Sequence, residues 1–147
     1  MKIIELPDTL AERIGCLIRP VLQPNHLSKD EKDIIDTDLR GRWQTVMLEL
    51  AKWKSDPVQL EDEGVIAPTV ALVAVAEDVA DALCGYAVDP PDTLLTNGDG
   101  GIVLRWRLPD RTWSIEIDVD GSIESSLFTS SQLLWRHSIH QDVTKAT

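Results

Sequence analysis

The sequence contains few cysteines, the residues that cross-link small proteins through disulfides or serve as reactive thiols. Its 147 residues include two cysteines, Cys16 and Cys84, and no Cys-x-x-Cys pair. Both cysteines stand in apolar stretches, which disfavour the thiolate, so we expect buried thiols in a reducing compartment; a disulfide between them is the open alternative. Hydrophobic residues make up 43% of the chain, which excludes a disulfide-dependent scaffold and a wholly disordered chain.

Positive charge is also scarce. Lys and Arg number 14 against 25 Asp and Glu, so the formal net charge is −11. No Lys or Arg occurs between Ser55 and Leu104, a stretch that carries ten carboxylates. Such a surface repels phosphates, so we expect no nucleic-acid partner. It suits a basic protein partner, and the simpler alternative is an acidic face that keeps the protein in solution.

Long hydrophobic runs are missing. The longest, Val70 to Ala76, is far shorter than a membrane-spanning helix. The apolar run at the N-terminus is broken by Glu5 and Pro7 and is too short for a signal peptide. We therefore expect a cytoplasmic protein with no membrane partner.

Helical periodicity dominates residues 1–88. Apolar positions spaced three and four apart predict a helix over residues 8–18. A second helix is predicted after the capping box Ser28–Glu31 and runs to about Lys54, with Gly41 as the expected point of any division. A third is predicted from Pro68 to about Cys84, and its almost uniformly apolar first half indicates a central, buried helix.

Alternating apolar and polar residues predict strands over residues 92–128. Residues 102–108 and 112–119 alternate after the glycine-rich turn 97–101, and Asp120-Gly121 is a type I′ hairpin signal. The outer face of these strands carries charged residues that can pair across strands: Arg105, Arg107, Glu116 and Asp118. The tail, residues 132–140, allows either a short helix or an added strand, and residues 141–147 are expected to be frayed.

Together these patterns predict an α+β fold. N-terminal helices and the buried central helix pack on a C-terminal antiparallel meander of three or four strands. Because so small a sheet is not stable alone, we interpret the break at residues 89–92 as a change of element within a single domain, residues 1–147. Residues 1–88 form its mainly helical part and residues 92–128 its meander.

One motif resembles a known group. The pattern Asp99-Gly100-Gly101-Ile102-x-x-x-Trp106, followed by Ile115-x-Ile117-x-x-Asp120-Gly121, is similar to a group of short, uncharacterised bacterial proteins. The resemblance covers roughly residues 43–128 and implies a bacterial origin and the same fold. In that group the acidic loop usually reads Asn-Trp-Asp-Gly-x-Gly-Ala, whereas here residues 60–67 read Leu-Glu-Asp-Glu-Gly-Val-Ile-Ala. The group has no established activity to carry over.

Two patterns resemble metal sites. His137-x-x-His140 would place two imidazoles near one face of a helical tail and form half of a metal site; two surface histidines are the simpler interpretation. Residues 116–121 mimic half of a calcium loop, but the pattern then requires Glu where Leu127 stands. A solvent-exposed strand face that ends in a turn explains the same acidic residues.

Patterns for covalent or cofactor chemistry are weaker. The glycine-rich turn lacks the Gly-Lys-Ser/Thr ending and the following helix of a phosphate-binding loop, so we expect no cofactor. Ser125 and Ser126 lie near His137 in sequence only, and no Gly-x-Ser-x-Gly elbow occurs. An enzyme is therefore the less favoured class.

The leading hypothesis is a small acidic protein that binds another protein without chemistry. An antitoxin-like or immunity-like inhibitor that masks a basic partner is one concrete version. The expected contact residues are an acidic triplet and two tryptophans: Glu61, Asp62, Glu63, Trp53 and Trp113. Core packing is the simpler interpretation of the tryptophans. The alternative function is an enzyme, or a small-ligand or metal-binding protein, with a pocket between the central helix and the sheet. An open sheet edge also predicts a homodimer.

Overall fold

The computed structural model describes residues 14, 15, 17, 18, 29–56 and 66–139, with side chains from residue 38 onward in the long helix. Over these residues the chain forms two helices and five strands. They are α1 (Lys29–Ser55), α2 (Val70–Gly85), β1 (Thr93–Thr96), β2 (Ile102–Arg107), β3 (Thr112–Ile117), β4 (Ile123–Phe128) and β5 (Leu133–Ile139). The α+β class is confirmed, and the described sheet has five strands rather than three or four.

The five strands form one antiparallel sheet in chain order, β1-β2-β3-β4-β5. The two alternatives for the tail are resolved in favour of a strand, because residues 133–139 pair with β4. The register of this pairing shifts between Leu127 and Phe128, which marks a bulge. β1 and β5 are therefore the two outer strands of the described sheet.

The β3–β4 turn is not the predicted type I′ hairpin. Within residues 118–122 only Gly121 has a positive φ, of 89°, whereas type I′ requires it at both central residues. The Gly121 N–H donates to the Asp118 carbonyl at 2.8 Å, and the Asp118 N–H donates to the Ser122 carbonyl at 2.9 Å. This is a three-residue loop with glycine in the left-handed position.

The core lies between one face of the sheet and the helices. α1 continues without a break through Gly41, where the sequence allowed a division. α2 is buried over most of its length, as its composition predicted. The largest fully buried side chains come from every layer, including Ile14, Leu17, Leu39, Leu50, Leu72, Leu83, Ile102, Leu104, Trp113, Ile115 and Ile117.

Two indole N–H groups fasten the segment between α2 and β1. Trp43 of α1 donates to the Val88 carbonyl at 2.8 Å, and Trp106 of β2 donates to the carbonyl of the next residue, Asp89, at 2.7 Å. The Trp106 ring stacks on Trp113 of β3, with 4.1 Å between ring centroids. The helical layer and the sheet are thus bonded to two consecutive peptide units of the same segment.

α2 begins two residues later than predicted. Thr69 is its N-cap, and the Thr69 hydroxyl accepts from the Leu72 N–H at 3.1 Å, which satisfies one of the free donors of the first turn. Pro68 precedes the cap instead of occupying the first turn. Threonine is the better N-cap residue, because the proline side chain has no oxygen to accept a hydrogen bond.

The C-terminus of α2 places a left-handed residue where the sequence has no glycine. The Ala87 N–H donates to the Cys84 carbonyl and the Val88 N–H donates to the Leu83 carbonyl, both at 3.0 Å. This is the pattern of a Schellman cap, whose left-handed position falls on Ala87, with φ 63°. Gly85, predicted as the stop, is the last helical residue.

Exchanging these two residue types should therefore stabilise the protein. A left-handed L-residue is strained relative to glycine, so Ala87→Gly should raise the free energy of unfolding by about 1 kcal/mol. Gly85→Ala should raise it by about 0.5–1 kcal/mol, because its helical backbone suits alanine and an added Cβ meets nothing within 4 Å. Urea denaturation of each single variant measures both changes.

Gly98→Ala is the matched control. Its surroundings are equally open, but φ is +88°, so this substitution should destabilise the protein. A loss of stability in Ala87→Gly would contradict the left-handed cap.

Candidate functional site

The structure describes only some of the residues that the sequence singled out. Residues 61–63 and His140 lie outside the described residues, as does Cys16. The two tryptophans expected at a partner surface are buried instead: Trp53 is 7% exposed and Trp113 is 2% exposed. Trp53 lies on the apolar face of α1, and Trp113 stacks within the sheet core. In this structure neither ring is presented to a partner.

His137 is exposed on β5, and its ring stacks on Trp135 with 6.0 Å between centroids. The helical spacing that would have placed His137 and His140 on one face is absent as far as Ile139, because alternate residues of a strand point to opposite faces. No group of three or more His, Cys, Asp or Glu side chains is arranged to hold a metal ion within the described ranges.

Ser125 lies directly opposite His137 in the β4–β5 register, yet its hydroxyl is fully buried and already engaged. The Trp113 indole donates to Ser125 Oγ at 2.6 Å, and that hydroxyl donates to the Leu17 carbonyl at 2.8 Å. Ser125 therefore relays a hydrogen bond between β3 and the N-terminal segment. This arrangement gives it a structural part and no support as a nucleophile.

The outer face of the sheet does not carry the predicted cross-strand ion pairs. The turn at residues 108–111 sets a register in which Arg105 faces Ser114, while Glu116 faces Val103. Glu116 therefore lies two residues along β3 from Ser114, the residue directly opposite Arg105. The expected pairing of Arg105 and Arg107 with Glu116 and Asp118 is wrong in this register.

A groove of about 380 Å³ lies on this outer face. It is lined by Arg105, Ser114, Glu116, Glu124, Ser126, Phe128, Leu133 and Arg136. Most of these side chains come from β3, β4 and β5. The groove combines two guanidinium groups, two carboxylates and two hydroxyls with an apolar end.

Both carboxylates of the groove already have partners. Glu124 accepts from Arg136 Nε at 3.2 Å and from the Ser138 hydroxyl at 3.3 Å. Glu116 accepts from the Asn97 amide at 3.0 Å. Arg105 differs, because its Nε is shielded from solvent and has no hydrogen-bond acceptor. The alternating pattern did not reveal this feature, because it predicted an acidic neighbour across the strands for Arg105.

The glycine-rich turn is explained by the side chain that it wraps. Asn97 Oδ1 accepts from the N–H groups of Asp99 and Gly101, each at 2.8 Å. A Cβ on Gly101 would meet the Asn97 side chain and the Ile117 carbonyl at less than 3 Å. This turn therefore positions Asn97 toward Glu116. The N–H groups of Asp99 and Gly101 already donate to Asn97, so these two donors are not available to a phosphate.

Carboxylates crowd the end of the sheet at the β3–β4 turn. Burial raises the pKa of Asp118, and the charges of Glu116, Asp120 and Glu124 raise it further. An Asp118 carboxylate is therefore less stable in the fold than in the unfolded chain. This end of the sheet is a place where an added cation would lower the electrostatic energy.

The two outer strands differ in their protection. β1 has four half-buried residues, and the turn after it is covered by Ile66, whose N–H donates to the Gly98 carbonyl at 3.1 Å. Beyond β1, Asp92 accepts from the Arg107 N–H and donates its own N–H to the Arg105 carbonyl. The free groups of β2 at this edge are thereby satisfied.

β5 has none of these protections. It is seven residues long, and no described strand pairs with its outer side. It contains neither proline nor lysine, the residues that commonly block edge-to-edge pairing. Leu133 and Leu134 are 47% and 45% exposed. Nothing in the sequence distinguished this edge, because the tail was compatible with a helix.

A second cleft, of about 230 Å³, lies between α1 and α2. It is mainly apolar and is lined by Trp43 and Met47 of α1 and by Ala80 and Cys84 of α2, with Arg40 and Asp81 among the remaining lining residues. Neither this cleft nor the outer-face groove lies where the sequence placed a pocket, between the central helix and the sheet.

Comparisons with protein-family models, curated proteins and solved structures find no match. The resemblance to a group of short bacterial proteins therefore stays a prediction. Neither α1 nor α2 is long and apolar enough to cross a membrane, and no other helix of the described residues meets that requirement.

Removing the Ser125 hydroxyl should destabilise the core. Ser125→Ala leaves the Trp113 N–H and the Leu17 carbonyl without their shared partner, so the free energy of unfolding should fall by about 1–3 kcal/mol. The neighbouring Ser126→Ala, on the outer face, should change it by less than about 0.5 kcal/mol. Chemical denaturation compares the two variants. Equal effects would contradict the relay.

Asp118→Asn should stabilise the protein at neutral pH. The raised pKa means that ionised Asp118 costs stability above its folded-state pKa. This cost disappears as the pH falls below the unfolded-state value of about 3.9, where the carboxyl is protonated in both states. The gain in melting temperature should therefore be small and positive at pH 7 and absent at pH 3. A gain that is independent of pH would contradict the electrostatic cause.

Proposed function

We propose that this protein is a cytoplasmic, non-catalytic interaction protein that accepts an extended segment of a basic partner protein at β5. The observation that carries the proposal is the unprotected outer edge of this strand. Strand addition uses the free N–H and C=O groups of such an edge for affinity, and alternate side chains for specificity. An antitoxin-like or immunity-like inhibitor is one form that such a protein takes.

The contrast with β1 supports this assignment. β1 is a short edge of four half-buried residues, and the hydrogen bonds of Asp92 and Ile66 lie beyond its two ends. β5 is longer, no described strand pairs with its outer side, and it exposes Leu133 and Leu134. Exposed edges of this kind pair with other chains. A bound partner segment would pair with the β5 edge and prevent its association with other chains.

Charge favours a basic partner. The chain carries a formal net charge of −11, so association with another acidic chain is opposed at long range. Glu124 lies on β4, next to β5, and Asp118 and Asp120 lie in the turn that precedes β4. Because these carboxylates raise the pKa of Asp118, a nearby cationic side chain would relieve their mutual repulsion. Such binding should weaken as salt is added.

Leu134→Lys tests the edge. Lysine on an edge strand opposes strand addition, so this variant should lose at least about tenfold of the partner affinity. Leu48→Lys is the matched control, since Leu48 is 63% exposed on α1, away from the sheet. Tagged wild type and both variants are exposed to native lysate at low and high salt, and bound proteins are quantified by mass spectrometry.

The proposal requires one stoichiometric basic protein that is retained by wild type and Leu48→Lys, lost with Leu134→Lys, and released by high salt. Equal capture by all three proteins would contradict it. Light scattering on the purified protein identifies self-pairing, and a homodimer that Leu134→Lys dissociates would assign the edge to a second copy instead.

The acidic triplet supplies a separate arm. Glu61→Gln, Asp62→Asn and Glu63→Gln are combined in one variant, which should bind the partner more weakly if these residues form part of the contact. Unchanged binding would remove the triplet from the interface and leave the β5 edge as the contact.

A further inference from the structure

One residue from each strand forms a transverse row across the outer face of the sheet. In strand order the row consists of Thr93, Arg105, Ser114, Ser126 and Arg136. Neighbouring strands lie about 4.8 Å apart, so the backbones of Arg105 and Arg136 are about 14 Å apart with two serines between them. The row contains hydrogen-bond donors and no carboxylate.

Arg105 is the unsatisfied member of this row. Its Nε is shielded from water and donates to no acceptor, and none of the described residues forms an ion pair with it. Arg136, at the other end, is exposed and bonded to Glu124. A shielded guanidinium donor without an acceptor is costly, because it has given up water and received nothing in exchange.

Acids are abundant in this chain, yet none is supplied to Arg105. The two carboxylates of the groove are engaged elsewhere, Glu124 by Arg136 and Glu116 by Asn97. The guanidinium therefore lines a groove of about 380 Å³ that offers the Ser114 hydroxyl as a further donor, while the Ser126 hydroxyl donates to Glu124 at 3.5 Å. The missing component of this arrangement is an acceptor group.

We propose that Arg105, together with the hydroxyl of Ser114, binds the carboxylate of a small organic acid. A planar carboxylate matches the fork of a guanidinium group, and the combination of charge and hydrogen bonds is stronger than either alone. Phe128 and Leu133 line the same groove and give the apolar part of the acid a surface to contact. The volume of the groove is in the range of small-molecule sites.

The charge of the groove favours a carboxylate over a phosphate. Two arginines and two glutamates line it, so their formal charges cancel and a bound monoanion adds a single negative charge. A phosphate dianion would bring a second negative charge close to Glu116 and Glu124. This repulsion selects against it.

The site is separate from the proposed protein contact. Arg105 lies on β2, three strands away from the β5 edge, although Leu133 and Arg136 of β5 line the other end of the groove. The inference therefore goes beyond the proposed function and is tested without any protein partner.

The decisive measurement is NMR of the arginine Nε–H groups in the intact protein during titration with benzoate. Benzoate should shift the Arg105 Nε–H signal, because a carboxylate bound to the guanidinium changes the environment of all its N–H groups. Benzamide, which has the same ring and no charge, should bind at least about tenfold more weakly. Phenylphosphonate should also bind more weakly than benzoate.

Two variants assign the effect to the residue. Arg105→Gln should weaken benzoate binding about tenfold or more. Arg107→Gln, on the same face and strand but exposed at its end, should bind benzoate as wild type does. If Arg105→Gln fails to fold, the comparison of benzoate with benzamide on wild type still decides.

Four results would overturn the proposal. The first is equal binding of benzoate and benzamide, and the second is a benzoate affinity that Arg105→Gln leaves unchanged. The third is tighter binding of phenylphosphonate than of benzoate. A tetrapeptide that ends in phenylalanine provides the last arm, since an affinity well above that of benzoate would assign the carboxylate to a protein C-terminus and overturn the small-acid assignment.

Discussion

Tryptophan side chains bring N–H donors into the core, and each buried donor requires an acceptor. Trp43 and Trp106 find theirs in the consecutive carbonyls of Val88 and Asp89. The helical layer and the sheet are therefore aligned by one short connection, because α1 must reach the Val88 carbonyl while β2 reaches the next carbonyl, that of Asp89. Trp113 adds a second link through the Ser125 hydroxyl to the N-terminal segment. Shifting either layer would leave shielded donors unpaired, which costs more than the loss of an equivalent apolar contact.

The register of the sheet is the second constraint, and it decides which charges meet. The turn between β2 and β3 aligns Arg105 with Ser114, and this alignment places the tryptophans Trp106 and Trp113 opposite each other. A slip of one residue would turn the apolar face to solvent, so the core fixes the register and the outer face has to accept it. The register that the core fixes places a serine directly across from Arg105 on β3.

The alternation of apolar and polar residues was sufficient to predict β2, β3 and β4, and the apolar composition of α2 predicted a buried helix, so the α+β class followed. It was not sufficient for features that depend on contacts distant in sequence. Ser125 reads as an ordinary polar residue until Trp113 and the Leu17 carbonyl, 108 positions away, are brought to it. The tail could not be assigned, because its strand exists only through pairing with β4. Local turn chemistry also misled at Ala87, where cap hydrogen bonds and the following chain hold a left-handed backbone in a residue that does not favour it.

Neither the open edge at β5 nor the unpaired Arg105 is explained by stability. The edge at β1 is shorter and half-buried, and the acidic composition offers many carboxylates that could have neutralised one guanidinium. The shielded donor of Arg105 lowers the stability of the isolated chain because it has lost its water, and the exposed edge at β5 invites association. Elements that are costly to the isolated fold and unnecessary to its core are typical of binding surfaces. The two features lie on different strands of the same sheet, and the groove that begins at Arg105 of β2 ends at Leu133 and Arg136 of β5.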